Sequence, residues 1–342
     1  MNPYRTFTKR FLILLGTLLL GLVVINMGID PFFFFDTPRI KGINAVRTEL
    51  DRHERLYKAS EIARLKPRAI LLGSSRVMVG CSPEDLKSIT GLKAYNGAFS
   101  SASFEEVYHY FEHALYHQPE LKVVVVGVDL FSFGQKEKVK PDFTLSRLKR
   151  STVCWEDATK SLFTLQALQC SLKTLHANLF TTLAPSHLPD GQMTHAYMTD
   201  PEKDVILRVG DDAYIQSVME GPYKDYKIDE LKVALFRNLV AKCQERDIVL
   251  KVFFSPAKAS YWAAIYQSDT WSSLEEVKRQ LSAIYPIWDF SGFNCVTTQA
   301  IEKESNPLYY ECSHFRPVVG KMILDKMFGK TVYPDDFGRI LH

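Results

Sequence analysis

The chain has 342 residues, 46% hydrophobic and 24% charged, an ordinary globular composition with room for one large domain or two smaller ones. Its formal charge of +3 is small, and Arg5, Lys9 and Arg10 account for it, all ahead of the first acidic residue, Asp30. What remains is balanced, which excludes the clustered Lys and Arg that a nucleic-acid surface requires.

The first predicted element follows the basic tail of residues 1–10. Residues 11–29, FLILLGTLLLGLVVINMGI, carry no charge and match the length needed to cross a hydrocarbon core as a helix. A secretory signal has a shorter apolar region and a small-residue cleavage site, whereas the residues that follow here, INMGIDPFFFF, are bulky. The expectation is an uncleaved, single-pass anchor in the inner membrane. By the positive-inside rule the N-terminus is cytoplasmic and the rest periplasmic. The FFFF run at 32–35 is expected at the outer interface, where aromatic rings are favoured; its alternative is core packing of the first globular segment.

Residues 30–66 read as a connector, charged and helical in pattern over 43–65. A strand–helix rhythm then begins: apolar AILLG (69–73), a helix over 82–91, a short strand at 93–98, a Ser-capped helix over 101–118, and LKVVVVGVDLFSF (121–133). Four consecutive valines mark a strand buried on both faces. Residues 134–225 break the rhythm and read as a mostly helical insertion. It resumes with an amphipathic helix over 229–247, a strand at 248–256, a helix over 270–284, a strand at 286–290 and a last helix over 317–329. The fold class is therefore α/β, a mainly parallel sheet with helices on both faces, spanning residues 67–342. Ligands bind at the carboxyl ends of such strands, which makes the residues just beyond them the ones to inspect.

Those strand ends read Gly73-Ser74-Ser75-Arg76, Asn96-Gly97-Ala98, Gly127-Val128-Asp129, Ser255-Pro256 and Asp289-Phe290-Ser291-Gly292, and the turn before the last helix reads YYECSHFRP, residues 309–317. Acyl transfer through a serine needs an exposed hydroxyl, a histidine base, an acid to orient it and N–H donors for the oxyanion. A serine on a strand-to-helix turn supplies the first, and Glu311 and His314, three residues apart, supply base and acid.

On these residues the chain resembles the SGNH (GDSL-type) hydrolase superfamily, a three-layer α/β fold. More narrowly it is similar to anchored bacterial members related to the alginate O-acetylation proteins and the protein of teichoic acid D-alanylation. The resemblance makes Ser75 the nucleophile in the G-[ST]-S block, gives the Gly97 amide to the oxyanion hole and maps the D-x-x-H block onto Glu311-Cys312-Ser313-His314. The third block of the family carries an asparagine donor, where this chain has Asp129. An ionised carboxylate accepts and cannot donate to an oxyanion, so the expected hole rests on the amides of Ser75 and Gly97, with Arg76 as a replacement donor. Asp289 is the alternative acid. Arg316 is a candidate for an anionic substrate group, with loop shaping as its other reading.

Two further patterns complete the inventory. His109, His113 and His117 recur every four residues, a spacing that can gather metal ligands, but a helix face explains them and no metal or other cofactor is expected. Six cysteines in an exported domain permit the pairs Cys154–Cys170 and Cys295–Cys312, which geometry must decide. The resemblance implies an O-acyl (O-acetyl) transferase or esterase acting on an envelope or exported polysaccharide, partnered by the inner membrane and a membrane-bound acyl-donor protein. The alternative is a non-catalytic envelope protein that binds glycan or scaffolds a secretion complex.

Overall fold

The computed structural model describes residues 3–151, 153–182, 184–299, 306–331 and 333–342. In chain order they form α1 (Pro3–Ile29), α2 (Glu54–Leu65), β1 (Ala69–Leu72), α3 (Ser75–Gly80), α4 (Pro83–Thr90), β2 (Ala94–Asn96), α5 (Phe104–His117) and β3 (Val123–Val128). Then come α6 (Trp155–Phe163), α7 (Leu165–Phe180), α8 (His195–Met198), α9 (Val205–Val209), α10 (Asp211–Glu220), α11 (Glu230–Glu245) and β4 (Val249–Phe254). The chain closes with α12 (Ala259–Tyr266), α13 (Thr270–Ser282), β5 (Ile287–Asp289), α14 (Pro317–Met327) and β6 (Arg339–Leu341). These elements divide into two compact units, one within Met1–Ser60 and Arg150–Ser186, the other within Glu61–Lys149 and His187–His342.

The first unit is helical. Its α1 is long and apolar enough to cross a membrane, and its large apolar side chains are almost all exposed. After it, Asp30 turns the chain: its carboxylate accepts from the amides of Phe34 (2.8 Å), Phe35 (3.1 Å) and Thr37 (3.2 Å). That turn drives Phe32 against Leu56, Ala167 and Cys170, and Phe33 against Leu50 and Tyr57. Phe32 and Phe33 therefore pack a core, the second of the two expectations for this run, and Phe34 and Phe35 are half-buried. The sequence-level insertion is split by the same packing: 150–186 joins α1, whereas 134–149 and 187–225 belong with the sheet.

The second unit is an α/β layer structure around a six-stranded sheet of order β2-β1-β3-β4-β5-β6. β1 to β5 are parallel, and β6, which the sequence pattern did not reveal, pairs antiparallel with β5. The valine run is buried along its length, as a strand covered on both faces must be. α5 opens on a capping box, Ser103 with Glu106.

One crossing positions the site. α14 packs on α3 where Gly80 meets Gly320, and a Cβ on Gly320 would lie 1.7 Å from the Gly80 carbonyl oxygen. Gly80 in turn leaves room for the Phe315 ring, whose nearest carbon would sit 2.0 Å from a Cβ there. Only glycines permit this approach, and it draws the segment before α14 onto the segment after β1. All six cysteines are free thiols, so neither anticipated disulfide forms.

Candidate active site

β1 leads into Gly73, whose φ of +145° and the 2.7 Å between a built Cβ and the Gly127 oxygen leave no place for a side chain. Ser74 caps α3: its hydroxyl oxygen accepts from the Arg76 amide at 3.2 Å while its proton goes to the Asp129 carboxylate. Ser75 is then the first helical residue, and it alone among residues 71–80 is not fully buried. Its amide meets no acceptor among the described residues.

The partner loop lies ahead of α14. The Tyr310 amide donates to the His314 carbonyl at 3.0 Å and the Arg316 amide to the Leu308 carbonyl at 2.7 Å, closing a tight turn. Inside it Glu311, 1% exposed, accepts from the amides of Ser313 (2.7 Å) and His314 (2.8 Å) and takes a hydrogen bond from His314 Nδ1. His314 Nε2 lies 2.8 Å from Ser75 Oγ. With Nδ1–H assigned to the carboxylate, Nε2 is left as the acceptor for the serine proton.

Electrostatics favour this arrangement. Burial opposes the charge of Glu311, but His314 and the two amides outweigh it and hold the carboxyl below its usual range. Burial likewise opposes charge on His314, and Glu311, helped by Asp204, overcomes it and raises the imidazole above its ordinary value.

Arg76 is a brace. Its Nη1 pairs with Asp129 at 2.7 Å, with both side chains at most 3% exposed, and its Nε and Nη2 each donate to Ser313 Oγ at 3.1 Å. Its face rests 4.8 Å from the Tyr261 ring centre, and Tyr261 is hydrogen-bonded to Tyr223. The residue after Ser75 is thus tied to the residue before His314. Asp129 carries a matched charge, which answers the repulsion expected of a bare carboxylate.

Four sequence-based assignments change. The Gly97 amide donates to the Leu71 carbonyl at 2.9 Å, extending the β2–β1 ladder, and is not free for an oxyanion. The Arg76 guanidinium is spent on Asp129 and Ser313 and does not serve as the replacement donor. Arg316 donates from Nε to the Tyr309 carbonyl at 3.2 Å and covers the Tyr310 ring at 4.6 Å, so it shapes the loop. Asp289 is held by Lys278 at 3.1 Å and by Ser291, and the acid on His314 is Glu311.

Sequence reasoning missed what residues 187–225 bring. Asp204 caps α9 by accepting from the Leu207 amide at 2.8 Å, and its carboxylate, that of Glu311 and the His314 ring nitrogen lie within 4.8 Å of one another. Asp211 accepts from the Cys312 amide at 3.1 Å and from Lys258 at 3.2 Å. Asp204 is the N-cap of α9 and Asp211 the first residue of α10, positions at which an acidic residue is ordinary in any sequence. The Asp204, Glu311 and His314 donors are close enough to hold a cation, but the imidazole and Glu311 are already engaged with each other. Burial, reinforced by Glu311, pushes the Cys312 thiol up, so it is no nucleophile. Of the histidine trio, His109 faces Glu112 and His113 Nδ1 accepts from the Lys149 amide.

Fold and site together define an α/β protein with a serine–histidine–glutamate relay beyond the carboxyl ends of a parallel sheet. Compared with protein-family models and with curated proteins, the chain matches none.

Proposed function

We propose that this protein is a membrane-anchored, serine-dependent acyl transferase or esterase of SGNH type, with its catalytic domain periplasmic and its substrate an acylated envelope or exported polysaccharide. The supporting observation is the continuous chain Ser75 Oγ···His314 Nε2 and His314 Nδ1···Glu311. Ser75 Oγ attacks the acyl carbonyl and passes its proton to His314, whose positive charge Glu311 balances. His314 then protonates the departing alkoxide, leaving an acyl-serine. Water or a sugar hydroxyl attacks that ester and gives its proton to His314; the bond from Ser75 Oγ to the acyl carbon breaks, His314 returns the proton to Oγ, and the acid or the new ester is released. The anchor favours transfer, since acceptors and acyl donors gather at a membrane surface.

A second reading, a non-catalytic glycan-binding or scaffolding protein, draws on the oxyanion side. Of the two amides expected at the oxyanion, that of Gly97 donates to Leu71, and that of Ser75 has no acceptor among the described residues. A serine-directed fluorophosphonate decides between them. The first reading expects labelling of the full chain that is lost in Ser75→Ala and His314→Ala; no labelling of folded wild-type protein favours the second.

A further inference from the structure

We propose that α6 and α7 form a second membrane-contact element, a helical hairpin lying in the lipid leaflet at which α1 emerges, with a leucine stripe of α7 facing acyl chains. The inference concerns the first unit alone and does not depend on the Ser75 site.

α7 is inverted relative to a helix of a water-soluble domain. Its buried face is small or polar: Ala167, Cys170, Ser171, Thr174 and Ala177. Its outward face carries Leu165 (73% exposed), Leu172 (52%) and Leu179 (55%), spaced by seven, with Leu168 and Leu175 half-buried between them. A helix in water turns its leucines inward, because a large apolar side chain left in water forgoes the gain of burial. A face of small residues is how helices approach closely where lipid is the solvent. At the ends of the hairpin Trp155, Phe163 and Phe180 are also exposed, aromatic residues of the kind that settle at the headgroup level.

The occupant follows from continuity with α1. Both α6 and α7 pack on α1, and the joint is polar and specific: Asn26 Nδ2 donates to the Leu162 carbonyl at 2.9 Å and Ser171 Oγ bonds Asn26 Oδ1 at 2.9 Å. Asn26 is fully buried and stands less than one turn from the end of α1 at Ile29. Since about 20 residues cross the hydrocarbon, a span beginning near Phe11 ends near Asp30 and leaves Asn26 about one turn inside that boundary. Anything seated on Asn26 therefore lies just inside that leaflet's boundary. Exposed Lys173 suits anionic headgroups there. The interfacial aromatics expected at 32–35 are supplied from this hairpin instead.

The test uses the full chain in liposomes of phosphatidylethanolamine and phosphatidylglycerol. Trp155 emission is taken as the difference between wild type and Trp155→Phe, with acyl-brominated lipid as quencher. The expected result is a blue-shifted Trp155 component quenched at least twofold, together with tenfold slower labelling of Leu172→Cys by an impermeant maleimide in liposomes than in the unfolded chain. An unquenched, red-shifted Trp155 and equal labelling rates overturn the proposal. So does slow labelling without bromolipid quenching, accompanied by crosslinking between Leu172→Cys copies, which would assign the stripe to a second copy of the chain.

Discussion

His314 Nε2 stands 2.8 Å from Ser75 Oγ across 239 positions of chain. Neither side chain sets that distance. Ser75 is fixed by the turn at Gly73 and the cap at Ser74, His314 by the amide cradle around Glu311, and the two frames meet at the Gly80–Gly320 crossing and the Arg76–Ser313 brace. Each of these parts leads to an expected outcome.

Ser75→Ala and His314→Ala should each lower kcat/KM on a small acetyl ester by at least about a thousandfold. The double variant should fall no further, because the two act as one unit. Additive losses in steady-state assays would mean that the groups act separately.

The pH dependence follows from His314. Its neutral form is the base, and its pKa is raised in the folded protein, so kcat/KM should climb with pH through an acidic limb above the ordinary imidazole value of about 6.5. Glu311→Gln removes the charge that overcomes burial, so the limb should move to lower pH while the maximum rate drops. Asp204→Asn should move it in the same direction by less. A pH–rate profile unmoved in Glu311→Gln would sink this account.

Asp129→Asn installs the residue that the family resemblance calls for at this position. If an oxyanion donor were all that was missing, activity would rise. The brace leads to the opposite outcome, since a buried guanidinium left without its partner costs about 3–5 kcal/mol. Denaturant unfolding should register that loss, with kcat reduced. Arg76→Met combined with Asp129→Leu should recover stability and leave kcat low.

Gly320→Ala puts a Cβ against the Gly80 carbonyl and should cost about 1–3 kcal/mol through overpacking. Because the strain lies between the segments that carry Ser75 and His314, the proposed activity should lose more in kcat than it gains in KM. Calorimetry and initial rates on one preparation would separate these effects.

Much of the molecule was legible in the linear chain. The charge-free stretch of α1, the buried valines of β3, the Ser cap of α5, the strand-end position of Ser75 and the turn of Glu311 and His314 before the last helix are all local patterns. β6 escaped because three residues after a glycine turn carry no period. The Gly97 amide was misassigned because its acceptor, Leu71, belongs to another strand. Asp204 and Asp211 look like ordinary acidic residues of helix starts until the loop of Glu311 is folded against them.

The sequence by itself therefore determined the long apolar helix at the N-terminus, the α/β class and the residue types able to carry serine chemistry, since each depends on neighbours along the chain. Tertiary structure alone decided which donors were already committed, that Arg76 serves Asp129 and Ser313, and that α7 turns its leucines outward. Those outcomes are set by which distant groups reach hydrogen-bonding or packing distance, and burial makes each such pairing exclusive.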